Sequence, residues 1–214
     1  MADIFKFSNQ IFQLLPQKAI YWQSVKTLII ADLHLGKTSH FRKAGLAIPA
    51  KSSEADYINL TSLLTEIQPV RLLILGDLFH SSYNKEWLQF ANLIKTFPKI
   101  SFELIIGNHD ILATEKYNSI GLKLMGEILV EENIIFSHHP LDNLSENQIN
   151  FCGHIHPGAQ LIGLGKQKIT MPCFYKNKSN FILPAFGALT GLQLMKKDKT
   201  SKIFGISGNK IFEI

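Results

Sequence analysis

The sequence is short of cysteine, of charge and of long apolar runs, and each shortage excludes a class of protein. Two cysteines, Cys152 and Cys173, in 214 residues cannot build a disulfide framework. They fit two small buried thiols in a reducing compartment. No stretch approaches the roughly 20 consecutive apolar residues of a membrane span, so no membrane association is expected. The opening residues Met1-Ala2-Asp3-Ile4-Phe5-Lys6 lack the basic-then-apolar pattern of a secretory leader, and a cytoplasmic location is expected. Charged residues are only 18% against 46% apolar, the balance of a chain with a core rather than a disordered one. With no internal repeat, low-complexity tract or linker, residues 1–214 are expected to form a single domain.

A net charge of +5 leans towards an anionic partner, although the lysines are dispersed. Their densest cluster, Lys196, Lys197, Lys199 and Lys202, reads as a solvated turn rather than a nucleic-acid face.

What the chain does have is a set of short apolar runs that stop abruptly. Arg71-Leu72-Leu73-Ile74-Leu75 is unbroken at strand length and ends in Gly76-Asp77-Leu78-Phe79-His80. A run with no polar face belongs to a strand covered on both sides, inside a mainly parallel sheet. Ligands of such sheets bind beyond the carboxyl ends of the strands, where Asp77 stands. Four more runs behave alike. Thr27–Ala31 ends in Asp32-Leu33-His34, Ile100–Ile106 in Gly107-Asn108-His109-Asp110, and Asn133–Phe136 in Ser137-His138-His139-Pro140. Ile149–Cys152 ends in Gly153-His154-Ile155-His156. If the first of these strands persists, Asp32 and His34, two apart, share one face.

Between the runs, a capped helix is expected from Ser52 or Ser53 to the stop at Pro69, with Tyr57, Leu60, Leu64 and Ile67 on one face. A second is expected from about Asn84 to Phe97, and a weaker third over Leu112–Leu124. Ile4–Trp22 suits two or three antiparallel strands at a sheet edge. After His156, the alternating segments Gln160–Leu164, Lys168–Tyr175 and Phe181–Leu183, with a last turn at Ser207-Gly208-Asn209, suit a second sheet. The order, strand–helix–strand and then hairpins, predicts an α/β sandwich of two sheets with helices outside. Leu183-Pro184-Ala185-Phe186-Gly187 reads as packing of the second sheet rather than as a loop of the site.

All eight histidines lie at or just after the five strand ends: His34, His40, His80, His109, His138, His139, His154 and His156. With two aspartates and an asparagine they form a mixed nitrogen–oxygen donor set without cysteine. That chemistry disfavours a structural zinc site and favours a catalytic one with open positions. Seven donors exceed the needs of one ion and suit two. A carboxylate shared by two ions is the usual arrangement for in-line displacement at phosphorus, the pair generating a hydroxide and clamping the phosphate oxygens.

Taken together, Asp32-x-His34, Gly76-Asp77, Gly107-Asn108-His109-Asp110, Ser137-His138 and Gly153-His154-x-His156 resemble the signature of the calcineurin-like metallophosphoesterases. The resemblance implies a four-layer αββα sandwich of two mixed sheets flanked by helices. It implies that Asp32, His34 and His156 hold one ion and Asn108, His138 and His154 the other, with Asp77 bridging. His139, adjacent in sequence, is an alternative to His138. His109 would stabilise the transition state or protonate the leaving oxygen, with Asp110 orienting and charging it. Mn²⁺ is the expected ion, and Fe, Zn and Mg are alternatives.

A narrower resemblance runs over nearly the whole chain. Leu14-Leu15-Pro16, Ala19-Ile20-Tyr21-Trp22, Ala31–Lys37, His40–Gly45, Gly76–Ser81, Pro172-Cys173-Phe174 and Leu183–Gly187 are similar to the bacterial ligase-associated DNA-damage-response endonucleases. This implies a DNA or nucleotide-like phosphodiester substrate and a pathway shared with a DNA ligase and a helicase. Lys37, His40 and Arg42, with Lys43, form a basic loop suited to a phosphodiester backbone. Two rival readings are a phosphatase or pyrophosphohydrolase of small nucleotides and a scaffold that binds partners without catalysis. The sequence leaves the oligomeric state open, with a homodimer as one option.

Overall fold

The computed structural model describes residues 4–37, 51–79 and 85–214, with the backbone alone at 51–53 and 85. The first sheet has seven strands in sequence order: β1 (Ile4–Phe7), β2 (Gln10–Leu15), β3 (Ala19–Trp22), β4 (Thr27–Ile30), β5 (Arg71–Leu75), β6 (Ser101–Ile105) and β7 (Leu122–Leu124). β1 to β4 are antiparallel neighbours, as expected for the N-terminal segment, and β4 to β7 are parallel. The runs of β4 and β5 lack a polar face because each side meets a different core. Leu28, Ile30, Leu72 and Ile74 pack beneath helices α1 (Lys51–Ile67) and α2 (Lys85–Thr96). Ile29, Ala31, Leu73 and Leu75 pack against the second sheet. All eight are fully buried, and each of the leucines and isoleucines is worth about 1.5–3 kcal/mol relative to exposure.

The second sheet comprises β8 (Ile128–Glu131), β9 (Ile134–Ser137), β10 (Ile149–Cys152), β11 (Pro157–Ile162), β12 (Lys168–Lys176), β13 (Asn180–Ile182), β14 (Gln193–Leu194), β15 (Lys202–Ser207) and β16 (Lys210–Glu213). Its main path is β14-β11-β12-β13-β10-β9-β8, with β15 joining β12 to β16. β9, β10 and β13 run parallel and the hairpins antiparallel, so the sheet is mixed. Phe136, Phe151, Phe174 and Phe181 face the first sheet and meet Phe12, Trp22 and Leu73. Phe12 and Phe151 lie 4.6 Å apart between ring centres. This is an α/β sandwich of two mixed sheets, as expected. The described helices all lie against the first sheet, and the outer face of the second is lined by Met171, Cys173 and Tyr175, with Met195, Phe212 and Ile214 packed on them. Both cysteines are buried, and burial raises both thiols, Cys173 to about 12.

One expected helix is shorter than its pattern. In place of Leu112–Leu124 there is one turn and a half, α3 (Thr114–Ser119), and then β7. Gly121 takes a φ of +85°, a conformation that ends helices. Beyond it Leu122 is buried and Lys123 exposed, which is strand alternation. Among the described residues no helix is long and apolar enough to cross a membrane.

Because β4, β5 and β6 are parallel, Ile30, Leu75 and Ile105 end at one edge of the first sheet. The parallel β9 and β10 end together in the second. Every expected metal-binding block follows one of those five ends. At the opposite edge Arg71 joins the sheets, reaching Glu103 of β6 and Glu131 of β8, each at 2.6 Å.

Candidate metal centre

The strands do not persist to the expected ligands. β4 stops at Ile30, and Asp32 and His34 both adopt left-handed backbone, with φ of +52° and +49°. Asp77, His154 and His156 do the same at +53°, +67° and +51°. Aspartate and histidine tolerate this region better than most residues, yet backbone held there costs energy and clusters at functional sites. The turns are what aim the side chains inwards, in place of the shared strand face expected for Asp32 and His34. Hydrogen bonds hold the turned backbone, His34 N–H donating to Asp77 O at 2.9 Å and Asp32 N–H to Gly76 O at 3.2 Å.

Two groups of donors result. In one, Asp32, His34 and His156 converge, with His34 Nε2 and His156 Nε2 only 3.3 Å apart and Asp32 Oδ1 3.5 Å from His156 Nε2. In the other, His138 Nε2 lies 3.0 Å from Asn108 Oδ1 and 3.2 Å from His154 Nδ1. Asp77 sits between them, Oδ2 at 3.8 Å from His34 Nε2 and Oδ1 at 3.5 Å from His138 Nε2. The structure therefore brings together all seven expected donors. His139 is adjacent too, grouped with His138 and His154, its ring centre 4.1 Å from that of His154. His138 is buried and faces Asp77, whereas His139 is exposed.

These residues fit a cation. Asp32 Oδ1 is fully buried and accepts no hydrogen bond, a costly state for a carboxylate oxygen without a positive partner. His138 Nδ1–H donates to Leu75 O at 2.9 Å, which leaves the lone pair of Nε2 in the neutral ring pointing at other acceptors. Orientation of a ligating imidazole by its second nitrogen is the usual support of a metal site.

Glycines bring the chain this close. A Cβ on Gly76, whose φ is +79°, would stand 2.2 Å from His138 Nδ1. Gly76→Ala is therefore expected to cost about 2–4 kcal/mol through strain and overpacking, read as a lower denaturation midpoint. A Cβ on Gly153 would lie 2.4 Å from Asp32 Oδ2, the oxygen that accepts His154 N–H at 2.9 Å.

Asp110 has a further role besides the expected one. Its carboxylate accepts backbone N–H groups of Asp77 at 2.7 Å, Gly107 at 2.9 Å and Leu78 at 3.1 Å. It clasps the ends of β5 and β6, and burial pushes its carboxyl up to about 6. The reason is local: the turns after β5 and β6 point these unpaired N–H groups inwards, and a buried acceptor satisfies three at once. His109 is pinned by its own N–H on Asp77 Oδ1 at 2.9 Å. Its side chain, 40% exposed, faces outward beside Asp77 and His34, 3.9 Å from Asp77 Oδ2.

Lys37 lies half-buried at the first donor group; burial lowers its ammonium pKa, while Asp32 and Asp77 oppose that shift. His40, Arg42, Lys43 and His80 lie outside the described residues. The Leu183–Gly187 segment combines packing with a place at the site. Phe186 is fully buried, and the N–H groups of Phe186 and Gly187 donate to Ala31 O at 2.8 Å and Asp32 O at 3.1 Å. Asp56 of α1 receives the next N–H, Ala188, at 3.0 Å.

Two supporting residues escaped the sequence reading. Asn150 and Asn180, both buried, bond to each other at 2.9 Å and fix the His139–Leu141 turn. Their signal was a polar residue inside an otherwise apolar run, Ile149-Asn150-Phe151.

A model described as calcineurin-like phosphoesterase matches residues 25–204. The chain belongs to that family and is a metal-dependent phosphoesterase. Among solved structures it is similar to Pseudomonas putida nuclease MPE, with 26% identity, 100% of both chains covered and a TM-score of 0.82. It also matches Yfce, a phosphoesterase from E. coli, at 14% identity over 88% of this chain and 97% of that one, with a TM-score of 0.45. A protein of unknown function from Aquifex aeolicus matches at 18% identity, 61% and 78% coverage and a TM-score of 0.42. No curated protein sequence matches the chain.

Proposed function

We propose that residues 1–214 form one domain that hydrolyses phosphodiesters of DNA with two divalent ions, Mn²⁺ foremost, in a cytoplasmic repair pathway shared with a ligase and a helicase. The observation that carries the two-ion reading is Asp77, whose two oxygens face separate donor groups. Asp32, His34 and His156 would hold one ion, Asn108, His138 and His154 the other, and Asp77 both. When bound, the ions supply Lewis acidity, lowering the pKa of water and neutralising charge on the phosphate. His109, exposed beside Asp77, donates its proton to the departing oxygen. Asp110 holds Asp77 in position through the backbone. Lys37 attracts the diester to the first donor group.

The nuclease reading rests on similarity to Pseudomonas putida nuclease MPE over the full length of both chains and on the basic residues Lys37, His40 and Arg42. The test is a substrate panel with the purified protein and added Mn²⁺. DNA strands and bis(p-nitrophenyl) phosphate are expected to be cleaved and nucleoside monophosphates to be left intact, with about two ions bound per chain at saturation. Release of phosphate from monoesters with no action on diesters would overturn it.

A further inference from the structure

Beside Asn108 and His138 opens a cleft of about 290 Å³ whose walls include Ile106, Ile128, Leu141, Glu127 and His139. We propose that this cleft receives one unpaired nucleobase of the strand being cut, with guanine preferred; this rests on the phosphodiesterase reading above.

The first argument is shape. Ile106 and Leu141 are half-buried and Ile128 is 51% exposed, so the walls are apolar and open next to the donor groups. Such walls suit a flat ring system, and the exposed His139 imidazole, tilted at 58° against that of His154, adds a π-face of the kind on which bases stack.

The second argument is the charge of Glu127. A carboxylate only accepts hydrogen bonds, and that of Glu127 is exposed, with the His139 imidazole within electrostatic reach. Within a DNA strand the phosphates and sugars offer no donor; donors occur only on the bases. A carboxylate at the mouth of a diester site therefore repels the backbone or reads a base. Guanine alone presents two parallel donors, N1–H and the N2 amino group, to one carboxylate. Cytosine and adenine offer one amino group, and the N3–H of thymine is flanked by two carbonyls that oppose the approach. Those edges are engaged in a duplex, so the base must be unpaired.

The third argument is that both walls are built in advance. Gly126 takes a φ of +79° and its carbonyl accepts Ile106 N–H at 2.9 Å, which fixes Glu127 next to the end of β6. Opposite, Ser137 Oγ–H donates to His139 O at 2.6 Å. Leu141 exchanges two hydrogen bonds with the buried Asn180 side chain, each 2.9 Å. Preformed walls lower the cost of ordering on binding.

The test compares p-nitrophenyl esters of 2′-deoxyguanosine and thymidine monophosphates, in the 3′ and the 5′ series, with bis(p-nitrophenyl) phosphate as the base-free diester. Wild-type kcat/KM is expected to favour deoxyguanosine over thymidine by about tenfold in one series, and Glu127→Gln to bring that ratio close to one. Equal rates for the two nucleosides in wild type, or a preference that survives Glu127→Gln, would overturn the base site while leaving the phosphodiesterase reading intact. Failure to hydrolyse any of the esters, the base-free one included, would overturn both.

Discussion

Asp77→Asn is expected to lower kcat by about a thousandfold or more while leaving the fold intact. The amide keeps an oxygen that accepts His109 N–H, as Asp77 Oδ1 does at 2.9 Å, and it matches the carboxylate in volume at a site only 2% exposed. It cannot offer a negative oxygen to each donor group at once. The metal content at saturation is expected to fall below two ions per chain, and the thermal midpoint without metal to stay close to that of wild type or to rise. A rise would follow from removing one of two carboxylates that lie among the same imidazoles, Asp32 Oδ1 at 3.8 Å and Asp77 Oδ1 at 3.5 Å from His138 nitrogens. Full activity in Asp77→Asn would remove the shared carboxylate from the mechanism. Asp77→Ala adds a cavity and an unsatisfied N–H, so it is the harsher and less specific probe.

The expected donor set was legible because parallel topology makes a one-dimensional pattern: the five buried runs β4, β5, β6, β9 and β10 end beside the site, and every expected ligand follows one of those ends. Asp32, Asp77, Asn108, His138 and His154 are each one to three residues past a strand of apolar residues. What the pattern does not carry is backbone direction after the strand stops. Five of the expected ligand residues turn into left-handed φ, and nothing in the run Thr27–Ala31 announces that, since aspartate and histidine are compatible with it without requiring it. The backbone bonds of Asp110 are hidden from the pattern for a related reason. Its place after Asn108-His109 matches an orienting partner for the imidazole, but three inward N–H groups exist only once the turns are formed. The shortened third helix is a conflict of periods, in which Gly121 and the alternation of Leu122 and Leu124 prevail over a weak helical face.

His109→Ala is expected to separate chemistry from metal binding. On a DNA strand kcat is expected to fall by about 10²- to 10⁴-fold, because the departing deoxyribose oxygen is a poor leaving group that needs a proton as its bond to phosphorus breaks. On bis(p-nitrophenyl) phosphate the fall is expected to be less than about tenfold, since p-nitrophenolate leaves as a stable anion and gains little from general acid catalysis. The metal content is expected to stay at the wild-type level. The group that Asp77 Oδ1 grips in His109 is the backbone N–H, which alanine retains. The ring itself lies 3.9 Å from Asp77 Oδ2, on the exposed side of the donor groups. Equal losses on the two substrates would assign His109 to charge stabilisation of the phosphoryl oxygens, which develops with either leaving group. Loss of metal alongside activity would make it a support of the donor set. The ratio of the two rate losses therefore decides what the exposed imidazole does, and it does so without the native substrate having to be known.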